Sequence, residues 1–133
     1  MKKNTCLNKI KNYEKGLMKN VNELGISKYV EKQKKIIISK LGIDFNRKDK
    51  LPDYLGMVLD EQGELDCSIN KFISNVDENE SISFEALIRS LFSKDMHKIS
   101  SYNFLVAELY YQCIVNDIEL SPTLVRRANK IIF

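Results

Sequence analysis

Apolar residues recur three or four apart along almost the whole chain, and no stretch alternates strictly, so the pattern predicts helices and no sheet. Leu7, Ile10, Tyr13, Leu17, Val21 and Leu24 fall on one helical face, with Thr5 placed to cap its start. Leu24-Gly25-Ile26 reads as a helix end, with Gly25 supplying a left-handed residue and Ile26 the apolar closure, and Leu41-Gly42-Ile43 repeats it. Between the two ends, Ser27 opens a second helix that turns Val30, Ile37 and Leu41 inward. Ile36-Ile37-Ile38 is β-prone, but the lysines around it suit a helix better.

Residues 44–51 are a polar connection, and Pro52 suits the first position of a third helix. Leu55, Val58, Leu59, Leu65, Ile69, Phe72, Ile73 and Val76 carry the spacing onward, with Gly63 either splitting the run or weakening it. Asp77-Glu78-Asn79-Glu80 reads as a loop, and Ser83 precedes the amphipathic set Phe84, Leu87, Ile88, Leu91 and Phe92. Ser93 to Ile99 reads as a break, with Ser100 or Ser101 capping a helix to about Asp117. Apolar residues from Phe104 to Ile114 cover more than one stripe, the mark of a central buried helix. Ser121 and Pro122 open the last helix, and Ile131-Ile132-Phe133 is expected to dock on the core. The expectation is an all-α fold: a single compact domain of six to seven helices spanning residues 1–133.

Charge is distributed unevenly behind a net value of +3. Residues 1–50 hold 14 Lys/Arg against 5 Asp/Glu, whereas residues 51–85 hold 9 acids against Lys71 alone. Oppositely charged blocks on one small domain either pair with each other or face partners. In the basic block, Lys11, Lys15 and Lys19 form one row and Lys28, Lys32 and Lys35 another, each turned away from the apolar face. Such rows suit phosphate contacts, although Arg47 is the block's one arginine and base readout favours arginine forks. In the acidic block, Asp60, Glu61, Glu64, Asp66, Asp77, Glu78, Glu80 and Glu85 form a surface suited to steering a basic protein.

Familiar catalytic and metal signatures are missing. His97 is the one histidine, Cys6, Cys67 and Cys113 are widely separated, and no Cys-x-x-Cys pair exists, so zinc spacing is not met. The three thiols read as buried and reduced, which fits a cytoplasmic protein. The string from Asp77 to Glu85 looks like part of a calcium loop. However, Ile82 stands where glycine permits the turn and Ile88 where a bidentate glutamate closes the site. The five glycines are isolated, so no phosphate-cradling loop is present and no cofactor is expected. No stretch reaches the ~20 apolar residues that span a bilayer, and no membrane partner is expected.

Lys, Asn and Ile, all encoded by A/T-rich codons, are abundant, as in mobile bacterial DNA. Small size, A/T-rich coding, no catalytic apparatus and one concentrated acidic block together make the chain resemble bacterial toxin-immunity proteins, including those of contact-dependent growth inhibition. The sequence pI near 8.7 departs from the many nuclease inhibitors that are acidic overall. The resemblance implies an immunity or inhibitor protein, not an enzyme. It would bind and occlude a protein partner, a basic nuclease-type toxin domain above all, through the acidic block. The alternative is a small helical DNA- or RNA-binding regulator using Lys11, Lys15, Lys19, Lys28, Lys32 and Lys35. A helical scaffold or accessory subunit is a third reading.

Overall fold

A computed structural model describes residues 3–78 and 94–133. The described residues form five α-helices and one 3-10 turn, with no strand among them: α1 (Lys3–Glu23), α2 (Ser27–Leu41), the turn Lys48–Lys50, α3 (Leu51–Glu78), α4 (Lys94–Val115) and α5 (Pro122–Ile132). The all-α expectation holds. The helix expected from Ser83 to Phe92, together with Asn79 and Glu80, lies outside the described residues.

α4 is the central helix. Leu105, Val106, Ala107, Leu109 and Cys113 are completely buried, as a helix apolar on more than one side demands. It packs against α1, α2, α3 and α5. α1 and α2, which also touch each other, cover one part of its surface, and α3 covers another. Ile10 and Cys6 of α1, Ile37 of α2 and Leu51, Leu55, Val58 and Leu59 of α3 converge on it. A smaller cluster of Val21, Val30 and Phe104, backed by Leu17 and Ile26, fills the closed end of the α1–α2 hairpin.

Both glycine-marked helix ends form as expected. Gly25 and Gly42 sit at φ +68° and +66°, where a side chain would be strained. At each end the next N–H reaches back five residues: Ile26 to the Val21 carbonyl at 3.1 Å, and Ile43 to that of Ile38 at 3.0 Å. The start of α2 differs from expectation. Ile26 ends α1 and also precedes α2, so no side-chain cap forms there and Ser27 is already helical. Thr5 likewise lies within α1. Ser121 does cap α5, its Oγ accepting from the Leu124 N–H at 3.2 Å, and Pro122 follows at the first position.

Other boundaries are corrected. Gly63 does not divide α3, which is continuous and carries Asp77 and Glu78 in its last turn rather than in a loop. Residues 94–99 are helical, so α4 starts nearly two turns before the expected serine cap. Ser101 is buried inside the helix, and its hydroxyl donates to the Val30 carbonyl across the α2 interface at 3.3 Å. Cys6 and Cys113 are buried as expected, but Cys67 is exposed on α3. At the C-terminus Ile132 is buried, whereas the Phe133 ring remains 47% exposed beneath the Lys9 ammonium, 4.8 Å from its centroid.

Candidate functional site: an acidic helix face and two lysine rows

α3 turns Tyr54, Leu55, Val58 and Leu59 into the core. Helical spacing then places Asp53, Asp60 and Glu64 together on its outer side, and all three are exposed. Among the described residues, two acids of the block are held within the chain. Asp60 accepts from Arg127 of α5 at 2.7 Å, yet its side chain stays 68% exposed and open to a second donor. Glu61 is more enclosed: Lys40 of α2 lies 2.8 Å from one carboxylate oxygen and the Tyr102 hydroxyl donates to the other at 3.2 Å. Burial, then the adjacent Glu61 charge, pushes the Tyr102 phenol up to about 12. Glu61 therefore ties α2, α3 and α4 together and is less available to a partner than Asp60, Glu64 or Asp66.

Asp66 is exposed on the flank of α3. It lines a surface depression of about 480 Å³ between α3, α4 and α5, with Leu59, Gly63, Asn103, Arg127 and Lys130 also in its wall. Asn103 Oδ1 is shut off from solvent and has no hydrogen-bond donor among the described residues. Sequence reasoning passed over this residue, although an asparagine inside the apolar run from Tyr102 to Val106 is the signal that marks it. The side chains of Asp77 and Glu78, and Glu80 and Glu85 entirely, lie outside the described residues.

The six lysines divide differently. Lys11 is exposed but engaged, 3.8 Å from Glu14 and 4.3 Å from the centroid of the Tyr111 ring. It belongs to a charged seam that includes Lys34 of α2, 2.6 Å from Glu108 and 3.7 Å from Glu31. Burial in this seam raises the Glu14 carboxyl above its ordinary value, against the pull of Lys11. Lys15, Lys19, Lys28, Lys32 and Lys35 are exposed, and none is ion-paired among the described residues. Lys28, Lys32 and Lys35 line one shallow depression with Ser27 and Glu31.

Cys113 and His97, the Cys–His pair the sequence offers, are not brought together. Cys113 is buried in the core, which pushes its thiol up to about 11 and keeps it protonated. His97 lies on the same helix, some 24 Å away at ~1.5 Å rise per residue. Its ring packs edge-on against Tyr29, centroids 5.9 Å apart. Among the described residues no group of three His, Cys, Asp or Glu side chains could hold a metal ion. Nor is any described helix long and apolar enough to cross a membrane. Compared with known proteins, the chain matches no protein-family model, no curated protein and no solved structure.

Proposed function

We propose that this chain is a cytoplasmic binding protein, not an enzyme, that inhibits a basic protein partner by covering it with the outer side of α3. The carrying observation is the exposed row Asp53, Asp60 and Glu64 on the outer side of α3, beside the depression that Asp66, Asn103 and Lys130 line. Exposed carboxylates steer a basic surface toward the face, and Arg127 pre-orients Asp60 there. A nuclease-type bacterial toxin is the partner that best fits this chemistry, because an active site built to attract phosphate is itself basic. In that role the chain is an immunity protein and its mechanism is steric occlusion.

The test is affinity capture from the native cells, with and without nuclease treatment, followed by binding measurements on the captured partner. The triple reversal Asp53→Lys, Asp60→Lys and Glu64→Lys should leave the fold intact, since among the described residues only Asp60 of the three has an ion-pair partner and that pair is largely exposed. Association with the partner should slow by about tenfold or more, because steering by several charges supplies at least that much. An unchanged association rate at low salt sinks the electrostatic mechanism. Failure to recover any stoichiometric protein partner sinks the inhibitor reading.

A further inference from the structure

We infer that the outer side of the α1–α2 hairpin is a second, independent binding surface that takes the phosphate backbone of a nucleic acid without reading its sequence. Lys15 and Lys19 of α1 and Lys28, Lys32 and Lys35 of α2 carry it. All five are exposed, and none has an ion-pair partner among the described residues.

The geometry follows from the helical repeat. α1 buries Cys6, Ile10 and Val21, and α2 buries Val30 and Ile37. Successive residues turn by 100°, so Lys15 and Lys19 point away from the first set and Lys28, Lys32 and Lys35 away from the second. Both helices rest on α4 and touch each other, so the two rows share the outer side of the hairpin. Packed helices lie ~8–10 Å apart. Lysines four apart are separated by ~6 Å along the axis. Five ammonium groups therefore occupy a patch on the order of 10 Å across. A DNA duplex carries one phosphate charge per ~1.7 Å of axis counting both strands, so ~10 Å of axis holds about six phosphates and five contacts are the most that the patch can make.

Glu23, exposed one turn beyond Lys19, subtracts one charge from the edge of the patch, while two other neighbouring acids are turned to partners of their own. Glu31, which lines the same depression as the α2 row, turns to Lys34 at 3.7 Å. Glu14 is held in the inner seam beside Lys11. Like charges repeated on one helix face destabilise it by a few tenths of a kcal/mol per pair, a cost removed when an anion binds. α1 and α2 contain no arginine, so the bidentate fork that reads guanine is not available on this face. The contacts are therefore to phosphates, and affinity depends on salt rather than on base sequence. The outer row of α3 would repel the same ligand, which restricts docking to the hairpin side.

The experiment is fluorescence anisotropy of the full chain with a labelled DNA duplex of about 20 base pairs, at several salt concentrations. Five phosphate contacts give a log–log slope of about −4.5, which is about a 500-fold loss of affinity between ~50 and ~200 mM salt. Lys28→Gln with Lys32→Gln and Lys35→Gln should flatten the slope by about 2.7, and Lys15→Gln with Lys19→Gln by about 1.8. Both sets are exposed positions whose loss leaves the melting temperature in place. Duplexes of unrelated sequence should bind alike. No binding at ~50 mM salt, or slopes unmoved by both variants, overturns the inference. Equal affinity for poly-glutamate overturns it too, by making the face a docking site for an acidic protein. None of these outcomes depends on the α3 row, so the proposed inhibitor role stands or falls separately.

Discussion

Asn103→Leu tests the depression beside the acidic row on the free protein. Asn103 Oδ1 is shut off from solvent with no donor among the described residues, and the residue as a whole is partly enclosed. Removing a stranded acceptor is worth about 1–3 kcal/mol. Leucine is close to asparagine in size and would add apolar contact with Leu59, Ile99 and Ile131, which line the same depression. Some of the new methyl surface would face water and offset part of the gain. The expected net is about 1 kcal/mol of added stability, a rise in Tm of about 4 °C for a domain of this length. Thermal melting by circular dichroism, with urea unfolding to check that the m-value is unchanged, measures it. A variant that melts lower than the parent refutes the reasoning, since the acceptor must then be satisfied already in the free protein.

Two further predictions concern the fold. Asp117 follows α4 at φ +55°, where the Ile118 N–H closes the helix on the Cys113 carbonyl at 2.9 Å. Asp117→Gly relieves about 1 kcal/mol of left-handed strain. It gives up an exposed pair with Lys3 worth less, so the urea midpoint should rise, and a fall would show the pair to be the larger effect. Burial pushes the phenols of Tyr13 and Tyr102 up to about 12, so the native state holds protons that the unfolded chain releases from about pH 10. Their contribution is intact below ~pH 10 and declines as pH rises through ~12. Urea midpoints should therefore drop over that window, less steeply in Tyr102→Phe, and an identical slope in the variant would remove Tyr102 from the account.

How legible each feature was depended on whether its cause is local. The helix ends at Gly25 and Gly42 were readable because glycine is the residue a left-handed position favours. The same closure at Asp117 was invisible, since an aspartate there carries no such signature. α4 was recognisable from an apolar run too broad for a surface helix. Its beginning was misread because serines suit both a cap and an interhelical hydrogen bond, and only the approach of the Val30 carbonyl decides between them. The acidic and basic rows could be placed on helix faces by spacing alone. Which members are already engaged could not, since Asp60 meets Arg127 and Glu61 meets Lys40 through packing of helices far apart in sequence.

These pairings determine how the two charged blocks act. Lys40–Glu61 joins α2 to α3, and Lys34–Glu108 joins α2 to α4. Both lie at helix seams and consume charges beside the core rather than those on the outer rows. The rows are left on the far sides of helices that each pack against α4. α2 and α3 meet at Lys40–Glu61, and the rows face outward from there on different helices. The Debye length at physiological ionic strength is about 8 Å, so exposed charges of the two rows further apart than that are largely screened from each other. A net charge of +3 thus describes neither surface: under the two proposals above, one would attract a cationic protein and the other phosphate, and each would bind while the other is occupied. Reversing Asp53, Asp60 and Glu64 should accordingly leave the salt slope for duplex DNA where it was. Neutralising Lys28, Lys32 and Lys35 should leave capture of the protein partner equally untouched. Coupling between the two would mean that the faces are closer, or the helices less fixed, than the packing around α4 requires.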